Sequence, residues 1–305
     1  MRVLVIGCGS IGKRHIRNLI ALGQTVHTQD LSPEIQKATE VEYDLSPLGQ
    51  VDAVVVATPP DSHLHYALKA LEDERPVFVE KPISDTMEGV SGLLGTNLLV
   101  GYNLRYHWGL QLVHRMLPSI GKPISVRAEF GQYLPDWRPW QDYRSSYTAR
   151  LGIILDASHE IDYLRWLFGE VRAVSCVAER LGNLEVQCED TAEIILQFVS
   201  GTIASIHLDF LQSRRFRHCR IVGASGTLVW RPSKVNLYLN GRQDFVQPGT
   251  IEDTYIDEMR HFIRCAQGWE KPRITAEDGI RVLEIALAAK ESARLGKVIR
   301  LDGAR

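Results

Sequence analysis

The chain begins with Met1-Arg2-Val3-Leu4-Val5-Ile6-Gly7-Cys8-Gly9-Ser10-Ile11-Gly12, a short apolar run that leads directly into a glycine-rich loop. The apolar run predicts a buried strand, and the periodicity of residues 10–22 predicts a helix with Ile16, Leu19 and Ile20 on its inner face. Glycines between a strand and a helix allow a tight turn and let backbone amides approach a pyrophosphate at the helix amino terminus. The stretch therefore predicts a doubly wound parallel sheet of the Rossmann type, which binds a dinucleotide through Gly7, Gly9, Ser10, Ile11 and Gly12. A glycine-rich turn without a ligand is the alternative.

Apolar runs and helical stretches alternate through the first hundred or so residues, which is typical of βαβ units and a parallel sheet. The expected strands are 2–6, 25–29, 53–57, 77–79 and 98–102, and a further helix is expected over 62–72.

After about residue 117 the pattern changes to short strands joined by turns that contain glycine, which predicts a large, mostly antiparallel open sheet in an α+β domain. The expected strands are 125–130, 173–179, 192–198, 202–210, 219–222, 227–231 and 235–239. A helix over 153–168 precedes most of them, and a last helix runs over 275–295, with Thr275 as N-cap and Asp278 at the third position. We therefore expect a dinucleotide-binding domain at 1–117 and a substrate-binding and oligomerisation domain at 118–305.

The composition excludes several classes of protein. Hydrophobic residues make up 45% and charged residues 24% of the 305 residues, which is ordinary for a globular protein and unlike a disordered one. A net charge of -2 offers no general attraction to nucleic acid or acidic membranes, so neither is expected as a partner. The five cysteines form no C-x-x-C pair, which argues against a metal site and fits reduced thiols in a cytoplasm. The first strand follows Met1 too closely for a signal peptide, and no apolar run approaches the roughly 20 residues of a membrane span.

Asp30 closes the second predicted strand, where an acidic side chain can accept hydrogen bonds from the adenosine ribose hydroxyls. Its charge would repel a 2′-phosphate, so NAD is expected over NADP, although a more distant Arg or Lys could still reach that phosphate. Thr58, Pro59 and His63 follow the third strand and are predicted to line the cofactor pocket. Initiation of the next helix explains this segment equally well.

Glu80-Lys81-Pro82 ends the apolar run 77–79, at the carboxyl end of a strand where open α/β sheets bind their ligands. A solvated strand end is the ordinary interpretation of such a lysine. However, the glycine loop, this tripeptide and the later segment 101–106 occur together in one chain. With these motifs the chain resembles, over nearly its whole length, the glucose-fructose oxidoreductase, inositol dehydrogenase and rhizopine-catabolism family (Gfo/Idh/MocA). The resemblance implies that Lys81 lies beside the substrate hydroxyl and the nicotinamide, that Glu80 and Lys81 contact the cofactor, and that Arg105 contacts the substrate.

A second set of candidate residues is the segment 156–163. If 153–168 is one helix, Asp156, His159 and Tyr163 share a face, while Ile161, Leu164 and Phe168 form an apolar stripe. The family's usual pattern places a carboxylate four residues before the histidine, whereas here the spacing is three, and Leu151-Gly152 replaces the usual glycine pair. Both departures affect the expected position and role of Asp156 more than those of His159.

Oxidation of a secondary alcohol needs a base for the hydroxyl proton and a group that polarises the forming carbonyl. An imidazole suits the first task and an ammonium the second. We therefore predict that His159 is the base, Lys81 its electrostatic and hydrogen-bonding partner, and Asp156 the residue that orients His159, in a site that forms when the two domains meet. A core histidine satisfied by the adjacent Glu160 or Asp162 is the alternative for His159.

The segment 133–147 is dense in aromatic and arginine side chains, and it resembles the branch of the family found in surface-polysaccharide and acidic-sugar biosynthesis. Trp137, Arg138, Tyr143 and Arg144 are predicted to bind the substrate, because rings stack on a base or sugar and arginines bind a pyrophosphate. An oligomer contact explains the same composition equally well.

The sequence thus predicts a cytoplasmic NAD-dependent oxidoreductase that acts on a secondary hydroxyl or carbonyl of a sugar or nucleotide sugar, as a homodimer or homotetramer. One alternative is an enzyme that keeps its NAD tightly bound and catalyses a net hydrolysis or isomerisation. Another is a regulator that senses a dinucleotide or sugar without chemistry, although such a sensor would not need both Lys81 and His159.

Overall fold

A computed structural model describes residues 1–45, 49–137, 147, 150–246 and 248–301, with Trp137 described by its backbone alone. The chain divides into two compact units. The first combines Met1–Asn103 with Thr250–Leu283, and the second combines Leu104–Gly249 with Glu284–Arg305. The segment Thr250–Leu283 thus packs in the first unit although it follows residue 117, and the predicted boundary between functional domains stays a prediction.

The first unit contains a five-stranded parallel sheet in the order β2-β1-β3-β4-β5. The strands are β1 (Arg2–Ile6), β2 (Thr25–Gln29), β3 (Ala53–Val56), β4 (Val77–Glu80) and β5 (Leu98–Gly101). The helices between the first four strands are α1 (Ser10–Ala21), α2 (Pro33–Glu42) and α3 (Pro60–Glu72), and single 3-10 turns lie at Val90–Leu93 and Asn103–Tyr106. The predicted parallel sheet is confirmed. Strands β1, β3, β4 and β5 are mostly apolar because residues on both of their faces are buried, whereas the edge strand β2 is mostly polar.

The second unit contains a nine-stranded sheet in the order β13-β12-β11-β10-β6-β9-β8-β7-β14. Its pairs are antiparallel except β6 with β9, so the predicted, mostly antiparallel sheet is also confirmed. The strands are β6 (Pro123–Gly131), β7 (Val171–Glu179), β8 (Thr191–Phe198), β9 (Ile203–Asp209), β10 (Phe216–Gly223), β11 (Thr227–Arg231), β12 (Lys234–Tyr238), β13 (Arg242–Val246) and β14 (Ile299–Arg300).

The helices of the second unit are α4 (Trp108–Met116), α5 (Leu134–Trp137), α6 (Ile153–Asp156) and α7 (His159–Phe168), with a 3-10 turn at Leu117–Ile120. Two more helices follow the last long strands: α8 (Ile251–Ala266) belongs to the first unit, and α9 (Ala276–Leu295) begins in the first unit and ends in the second. The capping box predicted before α9 is confirmed. The amide of Thr275 donates to Asp278 Oδ2 at 3.2 Å, and the amide of Asp278 donates to Thr275 Oγ1 at 3.3 Å. None of the described helices is long and apolar enough to cross a membrane.

The helix predicted over 153–168 is wrong as a single element. It is interrupted at Ala157 and Ser158, where the amides of Ser158 and Glu160 bond to carbonyls three residues back instead of four. Asp156 therefore belongs to a separate turn from His159, and the two do not share one helix face. Tyr163 is fully buried beside Trp230 and does not belong to a polar face. The apolar stripe of Ile161, Leu164 and Phe168 is buried as predicted.

The inner face of α1 also differs from the prediction. Ile16 and Leu19 are buried, but Ile20 is 39% exposed. It lies about 100° around the helix from Leu19, beyond the edge of the buried stripe. The other buried residues of α1 are Gly12, His15 and Asn18.

Candidate active site

The glycine loop after β1 packs against the loop that follows β3. Gly7 has φ of +96°, and a Cβ there would lie 2.6 Å from the carbonyl oxygen of Ala57. A Cβ on Gly12 would lie 1.9 Å from the carbonyl oxygen of Gly7. Both glycines are therefore required by the backbone itself, because no side chain fits at either position.

Gly9 has different surroundings, since a Cβ on it would meet no atom of the described chain within 4 Å. It is the N-cap residue of α1, so it offers no side chain to the first-turn amides, and that turn has no acidic residue. Helix amino termini with uncovered amides bind anions. The open space over Gly9 and the exposed Ser10 therefore fit the pyrophosphate of a dinucleotide.

Asp30 ties this loop to the end of β2. Its Oδ2 accepts the amide of Cys8 at 2.7 Å, and its Oδ1 accepts the amide of Ser32 at 2.9 Å. The Cys8 thiol is buried, and burial together with the charge of Asp30 raises its pKa to about 11. Asp30 therefore has a structural role in the loop, and the predicted contact with the adenosine ribose stays a prediction.

His63 lies buried in α3 between two backbone carbonyls. Its Nδ1 lies 2.8 Å from the carbonyl oxygen of Pro82, and its Nε2 lies 2.7 Å from that of Thr58. Burial lowers the pKa of His63, although both carbonyls work in the opposite direction. The ring thus links the loop after β3 to the loop after β4, and Thr58 and the exposed Pro59 lie on the first of these loops. Cofactor contacts by these three residues stay predictions.

Glu80 and Lys81 lie where β4 ends. The Glu80 side chain is buried, and its Oε1 lies 2.7 Å from Nε2 of His15 in α1. Its Oε2 accepts the amide of Lys81 at 3.1 Å, and the Lys81–Pro82 peptide is cis. Burial works to raise the pKa of Glu80, but the hydrogen bond and charge of His15, followed by the charges of Lys81 and His63, lower it on balance. Glu80 is therefore a buried carboxylate that fixes the main chain of Lys81.

His159 is the first residue of α7, and it is half-buried. Asp156, at the end of α6, accepts a hydrogen bond from the Tyr147 hydroxyl at 2.8 Å. Tyr147 is buried and packs edge-on against Phe210. The sequence pattern did not identify this partner of Asp156, because Tyr147 belongs to the aromatic and arginine cluster and carries no separate motif.

The carboxylate of Glu189 occupies the space beside Gly152. A Cβ there would lie 2.1 Å from the carboxylate carbon of Glu189, which itself pairs with Lys290 at 3.2 Å. Leu151 is accommodated because it is only half-buried.

The acidic neighbours of His159 are engaged elsewhere in the second unit. Glu160 forms a buried ion pair with Arg217 at 2.8 Å, and Asp162 forms one with Arg105 at 2.7 Å. These carboxylates therefore fix α7 by pairing with arginines, which weakens the interpretation of His159 as a core residue satisfied by them. Arg105 donates hydrogen bonds from Nε and Nη2 to the Asp162 carboxylate. A contact of Arg105 with the substrate would have to form in addition to this ion pair, and it stays a prediction.

The predicted substrate contacts of the aromatic and arginine cluster 133–147 fall on four of its residues. Arg138, Tyr143 and Arg144 lie outside the described residues, as does the side chain of Trp137. Within the described ranges, no group of three or more His, Cys, Asp or Glu side chains is placed to hold a metal ion.

Two family models match the chain. Residues 1–96 match the oxidoreductase family with an NAD-binding Rossmann fold, GFO/IDH/MocA, and residues 117–229 match the GFO/IDH/MocA C-terminal domain. The chain belongs to the GFO/IDH/MocA family of oxidoreductases. The predicted family, enzymatic class and cofactor NAD are confirmed, and the interpretation as a sensor without chemistry is set aside.

Relatives and solved structures cover nearly the whole chain. Inositol 2-dehydrogenase of Acidiphilium cryptum is 27% identical, over 99% of this chain and 97% of the relative. A crystal structure of an oxidoreductase from Agrobacterium radiobacter with NAD+, L-tartaric acid and magnesium superposes with a TM-score of 0.88 at 20% identity, over 98% of both chains. The WlbA dehydrogenase of Bordetella pertussis, solved with NADH and UDP-GlcNAcA, has a TM-score of 0.83 at 23% identity, over 99% of this chain and 97% of that chain. At these identities the two structures show a shared fold.

Proposed function

We propose that the protein oxidises a secondary hydroxyl of a polyol, sugar or nucleotide sugar, or reduces the corresponding carbonyl, with NAD as the redox partner. One observation carries the proposal. Within a single parallel sheet, the glycine loop after β1 leaves room for a pyrophosphate, and Glu80 fixes Lys81 at the end of β4. Both strands end at the same edge of the sheet, where ligands of open α/β folds bind.

The substrate class is supported by the names of relatives. Inositol 2-dehydrogenases act on a cyclic polyol, and the WlbA dehydrogenase was solved with a nucleotide-linked acidic sugar. Both compounds carry secondary hydroxyls on a six-membered ring. We infer a substrate of this kind, and the acidic-sugar branch that the segment 133–147 resembles is the narrower proposal.

When bound, NAD+ would supply the acceptor for the hydride that leaves the carbinol carbon. His159 takes the hydroxyl proton at a ring nitrogen, so the alcohol loses one proton and one hydride and becomes a carbonyl. The Lys81 ammonium stabilises the negative charge that develops on the carbinol oxygen. Asp156, held by Tyr147, orients His159 for this transfer. The backbone amides of Gly9, Ser10 and Ile11 would hold the cofactor pyrophosphate, and Asp30 would accept hydrogen bonds from the adenosine ribose.

Lys81→Ala and His159→Ala test these roles. We expect each to lower kcat by about 10² to 10⁴, the range in which positioned proton transfer contributes, while NAD still binds. The measurement is nicotinamide absorbance during turnover with a panel of inositols, free sugars, acidic sugars and nucleotide sugars, combined with calorimetric titration of NAD. Lys69→Ala and His65→Ala, at exposed positions of α3, are the matched controls.

Turnover by either active-site variant at the wild-type rate would remove that residue from the mechanism. Product formed without bulk NADH would instead support the alternative with tightly bound NAD.

The protein is proposed to assemble as a homodimer or homotetramer, because Val177, Ile195 and Ile203 lie exposed on one face of the nine-stranded sheet, and the mass measured in solution tests this.

Its five cysteines are buried and free, which fits the reducing cytoplasm that we propose as its location, and the distribution of the native protein between cell fractions tests this.

A further inference from the structure

His15 is a buried polar residue in the apolar stripe of α1. Its side chain has no exposed surface, and its ring packs edge-on against Phe78 of β4 with centroids 5.1 Å apart. The flanking buried residues Ile16 and Leu19 belong to the apolar core under the sheet. Burial of a polar group is costly unless it is hydrogen-bonded, so a histidine here needs a function that a further leucine would not provide.

The partner of His15 is the carboxylate of Glu80, with Nε2 and Oε1 2.7 Å apart. Glu80 is ionised, because its pKa is lowered, and a carboxylate only accepts hydrogen bonds, so Nε2 carries the proton. No polar atom of the described residues pairs with Nδ1. The hydrogen bond of the His15 ring is therefore made to Glu80.

Glu80 connects His15 to the next residue in the chain, Lys81. Its second oxygen accepts the amide of Lys81, so the carboxylate links α1 to the main chain of Lys81. On the far side of Lys81, the Pro82 carbonyl is bonded to the buried ring of His63. The two neighbours of Lys81 are therefore each held by a buried imidazole. Gly101 completes the packing, since a Cβ there would lie 2.8 Å from Phe78 and 3.3 Å from the Glu80 Cα.

We propose that His15 is a positioning residue for Lys81: through Glu80 it fixes the main chain that carries the ammonium group. This inference rests on the proposed role of Lys81 in turnover. Catalytic groups must be held close to their productive geometry, and a displacement of about 1 Å can cost about a hundredfold in rate. Because the His15 side chain is fully buried and bonds to Glu80, it acts on the reaction only through Lys81, so its effect should appear in kcat and not in cofactor affinity.

The test compares His15→Gln, His15→Asn and His15→Met. A glutamine amide can reach the position of Nε2 and donate to Glu80, whereas asparagine is too short and methionine fills the space without a donor. We expect His15→Asn and His15→Met to lower kcat by between about tenfold and a hundredfold, and His15→Gln to recover most of it. The Kd for NAD should stay within about twofold of wild type in all three. Ile16→Val, a buried change on the same helix, is the control for a general loss of stability.

A second readout is hydrogen exchange at the Lys81 amide, followed by mass spectrometry. Exchange should be faster in His15→Asn and His15→Met than in wild type and in Ile16→Val, because the Glu80 acceptor is then no longer fixed. Wild-type kcat or wild-type exchange in His15→Asn would overturn the proposal, as would an equal loss of kcat in His15→Gln. If the wild-type protein turns over none of the substrate panel, the proposed function fails, and the exchange experiment still decides whether His15 holds Lys81.

Discussion

Three glycines of one loop meet three different surroundings. A side-chain carbon on Gly7 or Gly12 would lie 2.6 or 1.9 Å from a backbone oxygen, whereas one on Gly9 would face open space. A motif of alternating glycines therefore combines two requirements. Gly7 and Gly12 serve the fold of the loop, and Gly9 serves the ligand.

This difference predicts opposite effects for two similar substitutions. Gly9→Ala should leave the thermal midpoint within about 2 °C of wild type, because nothing obstructs the new methyl group, and should weaken NAD binding by about tenfold or more, because it occupies room for the pyrophosphate. Gly12→Ala should destabilise the protein by about 1 to 3 kcal/mol or prevent folding, since backbone must move. Thermal unfolding and titration of NAD measure the two effects. Unchanged NAD affinity in a folded Gly9→Ala protein would contradict the placement of the cofactor.

Candidate site residues could be proposed from the sequence where a motif marks them. They were missed where only their packing in the folded structure shows their importance. The glycines and Lys81 stand in a recognisable pattern at strand ends. His15 lies in the helical series 12, 15, 16 and 19, whose spacing of three and four marks the buried face. That series was a signal that His15 faces the sheet. Its partner Glu80 is 65 positions away, and no local pattern encodes such a distant pair.

At the scale of elements, strands β13 and β14 were missed, and the other strands were predictable to within about three residues, because their residues are apolar, or alternate between apolar and polar, between turn residues. The break between α6 and α7 was not, since Ala157 and Ser158 carry no helix-breaking side chain. The helix α8 was also missed. It is amphipathic, and its buried residues, such as Met259 and Phe262, pack in the apolar core of the first unit. The periodicity of the sequence does not identify the core against which such a helix packs.

The neighbouring strands β8 and β9 carry a pH-dependent element on the exposed side of the sheet. His207 lies 2.6 Å from Glu193 and 2.8 Å from Asp209, and these hydrogen bonds raise its pKa to about 9 although partial burial opposes them. The folded-state pKa therefore exceeds the ordinary value of 6.5. For a raised histidine pKa, the stabilising contribution is complete below about 6.5 and is lost as the pH rises through about 9.

We expect the free energy of unfolding of the wild-type protein to fall between about pH 6.5 and 10 more steeply than that of His207→Gln, which cannot titrate there. Urea unfolding at several pH values measures the slope. Ser205→Ala, on the same face of β9, is the control and should follow the wild type. Parallel curves for wild type and His207→Gln would show that the pairs with Glu193 and Asp209 do not stabilise the fold.

At the scale of the whole chain, the order of strands and helices was enough to predict a parallel dinucleotide-binding sheet followed by a large, mostly antiparallel one. It was not enough to predict that Thr250–Leu283 packs in the first unit, because a sequence read from end to end does not show which earlier core a late helix joins. Function at this scale follows from the family: an NAD-binding oxidoreductase. The substrate remains the proposed part, and with it the joint action of Lys81 and His159.

The transfer of a labelled hydrogen from substrate to cofactor tests whether the protein is a hydride-transferring dehydrogenase. A polyol or sugar that the enzyme turns over is prepared with deuterium on the secondary carbinol carbon, and the nicotinamide cofactor is recovered for mass spectrometry. We expect one deuterium atom in each NADH formed, in a one-to-one ratio with carbonyl product, and loss of this transfer in Lys81→Ala and His159→Ala. Product that accumulates while the bulk cofactor remains oxidised and unlabelled would contradict the proposed mechanism.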